Sequence, residues 1–300
     1  MNSTNPFFKR ISPFLFPISL GVLSYISKIL TLSLVTFIVL ASKSRFAQIS
    51  EVVKDHQITS SALAALIIVS VLMVSKPLSQ TKIYDLFPKD FLSKSPYYLL
   101  SGVTLGLIFI LTLVFFKQLN YWGVLVRPEE YLEFFVSLLF RFFILSSFLF
   151  CEEFILREKF LSPLKIQVQK KPHPFAWSTL IMVTVALSQV LIRSIQFDLS
   201  FIEAGSLFLM SIALSSFFLR VGSFFPGALF LIGFYSFSHI IASAPFFGSE
   251  YAGVFIIKPQ YLISRLSGGA GGPLSSAVFL AITLFFALRF YLNLWFKKAL

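Results

Sequence analysis

The sequence is poor in the residues from which proteins build cross-links and metal centres. Cys151 is the only cysteine among the 300 residues, which excludes a disulfide framework and any cysteine-rich metal site. Three histidines, His56, His173 and His239, leave few neutral nitrogen ligands for a metal ion. Cys151 lies beside a glutamate in an apolar run, and we expect it to be a buried, unreactive thiol.

Acidic residues are scarce as well, with 13 Asp and Glu against 25 Lys and Arg, for a formal net charge of +12. Such an excess of positive charge can indicate a nucleic-acid partner. Here, however, the basic residues lie between apolar runs, which is typical of cytoplasmic loops that face anionic lipid. We therefore expect membrane lipid, and no nucleic acid, among the partners.

Apolar side chains are abundant, since they make up 57% of the chain, include 39 Phe and give a mean hydropathy of +0.85. A soluble domain of this size leaves too much of its surface wet to hide so many apolar residues. Segments that cross a lipid bilayer satisfy their backbone groups internally, most simply as helices. The composition therefore predicts an all-α fold, a polytopic membrane helix bundle of about eight transmembrane helices.

Polar or basic loops divide the chain into the predicted spans. The first apolar run, 13–41, is longer than one span, so we predict an interfacial segment up to about Ser24 and a span that ends near Ala41. The other predicted spans are 60–75, 97–116, 131–156, 175–191, 205–219, 226–244 and 273–296. We accordingly divide the chain into an N-terminal transmembrane region, 1–130, with about three spans, and a core region, 131–300, with spans four to eight.

An even number of spans leaves both termini on one side of the membrane. The loops on that side carry fourteen Lys and Arg, against eight in the loops on the other side, when Lys28, Arg141 and Arg289 are left out as intramembrane residues. Loops rich in Lys and Arg stay in the cytoplasm. The sequence thus predicts an integral plasma-membrane protein, the inner membrane in a bacterium, with both termini cytoplasmic.

Two adjacent glutamates lie near the end of the fourth predicted span, in the segment FLFCEEFILREKFL, 148–161. On a helix, Glu153 and Arg157 share a face and can pair, whereas Glu152 points about 100° away, toward whatever the helix packs against. A carboxylate at membrane depth costs several kcal/mol, which makes such a pair a functional hypothesis by default. The alternative is an interfacial charge cluster where the helix leaves the lipid.

The segment EEFILRE resembles the EExxxR signature of the CPBP family of intramembrane metalloproteases. That family includes the CAAX prenyl endopeptidases and bacteriocin-processing or self-immunity proteins. A second segment, FLMSIALSSFFLRVGSFFPGALFL at 208–231, is similar to the family's sixth span, short turn and seventh span, through Val221, Gly222, Ser223 and Pro226. The resemblance covers 131–241 and implies the eight-span layout.

The resemblance also implies roles for individual residues. In that family the first glutamate, here Glu152, activates a water molecule for attack on a peptide carbonyl, and the second glutamate and the arginine, here Glu153 and Arg157, support the site. Two histidines of the family bind a divalent metal such as zinc or stabilise the oxyanion. The matching positions here hold Gln189, whose amide can donate to an oxyanion, and Leu231, which can do neither.

His239 is the remaining candidate for a metal ligand in this comparison. Tyr235 and His239 form an aromatic-x-x-x-His pattern like that of the family's fifth span. However, His239 lies about 12 Å along the helix from Leu231, at a rise of ~1.5 Å per residue. A hydrogen-bonded histidine inside the bundle is the alternative role.

Three functions remain open on these grounds. The first is a CPBP-like intramembrane endopeptidase that uses Glu152, Glu153 and Arg157 with Gln189 and, through His239, a divalent metal. The second is a non-catalytic homologue that binds a membrane partner or peptide. The third is a small transporter component in which the glutamates bind a proton or cation. The loss of both motif histidines favours weak or lost hydrolysis, because a lone glutamate does not replace the charge stabilisation that a metal supplies.

Overall fold

The computed structural model describes part of the chain. The described residues are 91–115, 119–124, 131–162, 165, 174–197, 199–244, 255–259, 265–266, 268 and 272–296, with the single positions 22, 25, 26, 29, 62, 65 and 66. The first two predicted spans lie outside the described residues, apart from those single positions.

Helices form most of the described chain. Six α-helices occur in the order α1 (Phe91–Phe115), α2 (Tyr131–Glu153), α3 (Pro174–Gln196), α4 (Phe201–Val221), α5 (Phe225–Tyr235) and α6 (Ala277–Phe296). Two π-helices continue α2 and α5 without a break, and we name them π1 (Phe154–Leu161) and π2 (Ser236–Ile241). A short 3-10 turn, Pro273–Ser275, leads into α6.

Four of the described helical segments are long and apolar enough to cross a membrane. They are Ser93–Phe115, Phe134–Leu161, Phe175–Ile195 and Phe201–Val221. Two further apolar helices, Phe225–Ile241 and Ala277–Asn293, are shorter. Each of the six coincides with a predicted span, so the helical, membrane-type architecture predicted for 97–296 is confirmed at this level.

Two described segments between the helices form strands, which the all-α prediction did not include. β1 (Leu119–Val124) pairs antiparallel with β2 (Phe255–Pro259), with Val124 opposite Phe255 and an irregularity between Leu119 and Tyr121. The segments read LNYWGV and FIIKP, and their aromatic and β-branched residues favour extended backbone. Because the two strands are more than 130 residues apart, no local pattern predicts that they pair.

Two helices are longer than predicted. α4 begins at Phe201 rather than at 205, because Ser200 and Glu203 form a capping box: the Ser200 hydroxyl accepts from the Glu203 N–H at 3.3 Å, and the Glu203 carboxylate accepts from the Ser200 N–H at 2.7 Å. α3 continues to Gln196, past the predicted end at 191. The prediction that Arg193 lies in a loop is therefore wrong.

The tight turn between α4 and α5 agrees with the sequence pattern. Gly222 ends α4 in the left-handed conformation, φ +80°, and its N–H donates to the Phe218 carbonyl at 2.7 Å. Pro226 follows in the first turn of α5, where a missing N–H costs no hydrogen bond. The turn reverses the chain within three residues and sets α5 against the end of α2.

α1 crosses α5 with their backbones in contact. A Cβ added to Gly102 would lie 2.0 Å from the Phe230 carbonyl oxygen, and one added to Gly233 would lie 2.2 Å from the Leu99 carbonyl oxygen. Small residues at such a crossing let membrane helices pack by close backbone approach. α4 packs against α3 and α6, while α2 contacts α5 and its continuation π1 contacts α3 and α4. The end of α2 therefore has three neighbouring helices, α3, α4 and α5.

Candidate functional site: a buried network of two glutamates and two arginines

The two glutamates of the motif end α2 and lie inside the bundle. Glu152 is 5% exposed and Glu153 is 1% exposed. Arg157 in π1, Gln189 and Arg193 in α3 are each 1% exposed. These side chains are therefore enclosed by protein rather than exposed on the surface of the bundle.

Glu152 pairs with an arginine of the neighbouring helix. Arg193 donates from Nε to Glu152 Oε1 at 2.7 Å and from Nη2 to Glu152 Oε2 at 2.5 Å. This two-bond geometry is the strong form of a charge-assisted contact. The guanidinium carbon also lies 4.1 Å from the centroid of the Phe148 ring and 5.7 Å from that of Phe197. Phe148 is one helical turn before Glu152, so the same face of α2 supplies both contacts to Arg193.

Glu153 pairs with Arg157, as its spacing predicts. Arg157 Nη1 lies 3.3 Å from Glu153 Oε1. The other terminal nitrogen of Arg157, Nη2, donates to Gln189 Oε1 at 3.2 Å and to the Ser211 hydroxyl at 3.0 Å. Arg157 therefore links the end of α2 to α3 through Gln189 and to α4 through Ser211.

The turn between α4 and α5 lies next to Glu153. A Cβ added to Gly227 would lie 3.2 Å from Glu153 Oε2, so the first turn of α5 approaches that carboxylate with no side chain between them. The Phe224 ring contacts the rings of Phe150 and Phe154, with centroids 5.2 and 5.4 Å apart. The two segments that carry the family resemblance are thus neighbours in space.

His239 lies in π2 and is engaged with the backbone. Its Nδ1 is 2.7 Å from the Ala244 carbonyl oxygen, so this nitrogen donates. The side chain is 5% exposed. This agrees with the predicted alternative of a hydrogen-bonded histidine inside the bundle. Leu231 and Cys151 are buried among apolar side chains of the core.

The residues of this network do not fit a divalent metal. Each glutamate carboxylate already faces an arginine, and a cation would compete with that positive charge. The buried atoms of this network with no hydrogen-bond partner include one acceptor, Glu153 Oε1, and the N–H donors Arg157 Nε and Gln189 Nε2. Glu153 Oε1 lies 3.3 Å from Arg157 Nη1 and so already faces a positive charge, and the N–H donors repel a cation. Throughout the described part of the chain, no group of three or more His, Cys, Asp and Glu is arranged to hold a metal.

Arg193 and Ser211 are the members of the network that the sequence analysis missed. Gln189 and Arg193 are four residues apart, so they share one face of α3. A polar residue followed four positions later by an arginine, at the end of an apolar run, predicts that the helix continues and that both side chains face its interior neighbours. This pattern identifies Arg193. Ser211 lies among other serines in an apolar helix and carries no comparable signal.

Comparison of the chain with protein-family models, with curated proteins and with solved structures finds no match. The arrangement of Glu152, Glu153, Arg157, Gln189 and Arg193 is therefore interpreted from its own chemistry.

Proposed function

We propose that this protein is a non-hydrolytic binding protein of the membrane, built on a helical scaffold that resembles the CPBP family. The observation that carries the proposal is the two-bond contact between Arg193 and Glu152. A binding protein needs a rigid wall next to its ligand, and a peptidase needs a carboxylate that can take a proton. The contact between Arg193 and Glu152 makes the wall rigid, and it opposes protonation of the Glu152 carboxylate.

The argument against hydrolysis rests on what a general base has to do. A base in such a site accepts a proton from the attacking water. A proton on Glu152 would remove the negative charge that accepts both bonds from the Arg193 guanidinium. Breaking a buried pair in this way costs about 3–5 kcal/mol. Because the residues also do not fit a metal, the network lacks the electrophile that the family's reaction uses.

The binding site that we propose is a groove of about 630 Å³ lined by α1, α4, α5 and α6. Its lining is mainly aromatic and aliphatic, and Tyr97 and Leu100 at its edge are 71% and 60% exposed. Volumes of this size are typical of small-molecule sites. Gly227 belongs to the lining and faces Glu153 with no side chain between them, so the network lies directly behind one wall of the groove.

The proposal includes the eight-span layout with cytoplasmic termini. Between β1 and β2 the described residues form four helical segments, namely α2 with π1, α3, α4, and α5 with π2. An even number of crossings returns the chain to the side from which it began, and the pairing of β1 with β2 agrees with this count. β1 and β2 belong to the loops with fewer Lys and Arg. The excess of Lys and Arg in the other set of loops supports a cytoplasmic location for that other side, which also carries both termini.

Hydrolysis is tested on purified protein in lipid nanodiscs. The parent and the Glu152→Gln variant are incubated with a set of membrane peptides, and the products are read by mass spectrometry. We expect no cleavage that depends on Glu152. Cleavage by the parent that Glu152→Gln abolishes, in a variant that keeps its helical content, would overturn the proposal, as would zinc in the parent that is lost in Glu152→Ala.

Binding is tested with a variant that removes the pair without leaving a buried charge. In Glu152→Met combined with Arg193→Met, two apolar side chains replace the ion pair, an exchange that is often neutral for stability. A ligand of the groove raises the thermal midpoint of the protein that binds it. We expect the parent and the double variant to show the same rise with a membrane lipid extract, because neither charge touches the ligand.

A further inference from the structure

One end of the groove is closed by aromatic side chains from three helices. The Phe217 ring of α4 contacts the Tyr98 ring of α1 and the Phe290 ring of α6, with centroids 6.1 and 5.7 Å apart. All three residues belong to the groove lining. The start of α1 and the ends of α4 and α6 therefore meet at this place, which we call the aromatic end of the groove.

A basic residue lies within one turn of each of these three rings. Lys94 precedes Tyr98 by four residues, Arg220 follows Phe217 by three, and Arg289 directly precedes Phe290. All three basic side chains are exposed. The acidic residue of α4, Glu203, is buried in the capping box at the opposite end of that helix. None of the three basic residues belongs to the lining, so the groove has an apolar body and exposed positive charge on the helices that form its aromatic end.

The size of the groove limits what can enter it. An α-helix with its side chains is at least about 10 Å wide and rises 5.4 Å per turn, so two turns fill roughly 850 Å³. The groove holds about 630 Å³ and is open at the edge formed by the exposed Tyr97 and Leu100, so a partner helix would insert only the side chains of one face. The groove suits a narrow, flexible apolar chain whose polar end carries negative charge.

We propose that this groove binds one acyl chain of an anionic membrane lipid, with the lipid headgroup against Lys94, Arg220 and Arg289. The inference rests on the proposed function, because it names the ligand class for the same groove. Tyr97 and Tyr98 lie at the headgroup level, where tyrosines favour the boundary between apolar and polar surroundings. The hydroxyls of Ser101 and Thr104 bond to carbonyls of their own helix, at Tyr98 and Leu100, so the body of the groove stays apolar toward the chain.

The test measures lipid retained by the purified protein. Detergent-solubilised protein is loaded with phosphatidylglycerol or phosphatidylcholine of identical chains, and the retained lipid is counted by native mass spectrometry. We expect phosphatidylglycerol to be retained preferentially. Each basic residue near an anionic headgroup contributes about fivefold, so Arg220→Gln combined with Arg289→Gln lowers this preference by about 25-fold. Arg265→Gln, at an exposed arginine that lies on none of the helices lining the groove, is the control and leaves it unchanged.

A second pair of variants tests the groove itself. Thr104→Phe fills the groove from α1 and is expected to reduce retention of both lipids at least fivefold. Thr112→Phe is its control, because Thr112 lies on the same helix, makes the same bond to the carbonyl four residues earlier and is not part of the lining. If Thr104→Phe does not fold, Ser101→Phe fills the same groove.

Two results would overturn the lipid assignment. Equal retention of the two lipids removes the role of the basic residues, and retention unaffected by Thr104→Phe removes the groove. If a membrane peptide binds in a manner sensitive to Thr104→Phe while neither lipid does, the lipid assignment fails but the proposed binding function stands. Cleavage that depends on Glu152, in contrast, would contradict the proposed non-hydrolytic function whatever the lipid experiments show.

Discussion

Replacing Arg193 by methionine is expected to destabilise the protein strongly. The variant leaves the Glu152 carboxylate 5% exposed and without the two bonds of 2.7 and 2.5 Å that compensate its charge. Removing one partner of a buried pair costs about 3–5 kcal/mol. Arg193 also lies on the Phe148 ring, a contact that contributes a further ~0.5–2 kcal/mol. We therefore expect a loss of at least about 4 kcal/mol.

The reverse single variant, Glu152→Met, is expected to cost less. The Arg193 guanidinium loses its bonds to Glu152 but keeps the contacts with Phe148 and Phe197, so we expect a loss of about 3 kcal/mol, at the lower end for a broken buried pair. In the double variant no charge is left behind, and its stability should return to within about 1–2 kcal/mol of the parent. Taken together, these values give a coupling free energy of several kcal/mol between the two residues.

The assay is equilibrium unfolding of the parent, the two single variants and the double variant in the same detergent, followed by far-UV circular dichroism. Arg265→Met, at an exposed arginine, is the control and should change stability by no more than about 0.5 kcal/mol. If the losses of the two single variants simply add in the double variant, the coupling is zero and the ion pair does not hold α3 to α2. That outcome would also remove the physical basis of the proposed function.

Three glycine substitutions test the packing and turns of the bundle, and one lysine substitution tests a pH dependence of its stability. Gly102→Ala places a Cβ 2.0 Å from the Phe230 carbonyl oxygen, so it should lower stability by at least about 2 kcal/mol. The control Gly205→Ala, whose Cβ meets only a side-chain carbon at 3.6 Å, should be neutral or slightly stabilising in the same unfolding assay. Gly222→Ala meets no atom within 4 Å but forces alanine to φ +80°, and should cost about 1–2 kcal/mol. Lys165 lies beyond the end of π1 and donates to the Leu219 carbonyl at 2.9 Å; burial lowers its pKa below the ordinary 10.5. The unfolded chain therefore binds the Lys165 proton more tightly than the folded protein does, so the contribution of Lys165 to the free energy of unfolding rises as the pH approaches 10.5. When the unfolding midpoint is measured against pH, Lys165→Met should remove this part of its rise.

The parts of the fold that local sequence determines were predictable. Hydropathy located the six described apolar helices, and Gly222 with Pro226 located the turn between α4 and α5. The pairing of Glu153 with Arg157 follows from their spacing on one helix. In each case the interacting groups lie within a few residues of each other, so a short window of sequence contains the whole cause.

The features that were missed depend on residues far apart in the chain. The pairing of β1 with β2 joins two segments more than 130 residues apart, and strand propensity alone does not choose a partner. The π-helical geometry of π1 begins directly after Glu153, and such local widening of a helix has no reliable sequence signal, although it is frequent at functional sites.

Arg193 shows how a charge count can mislead in a membrane protein. Counted as a loop residue, it only adds one positive charge to one side of the membrane. Its position four residues after Gln189 instead places both on the face of α3 that meets Arg157 and Glu152. Within this network two arginines face two glutamates, so the network is formally neutral, whereas Glu203 is a further buried acid in the capping box of α4. A helical bundle can tolerate two carboxylates at this depth only if such compensation is present, so an unmatched buried acid is itself a reason to search neighbouring spans for an arginine at their ends.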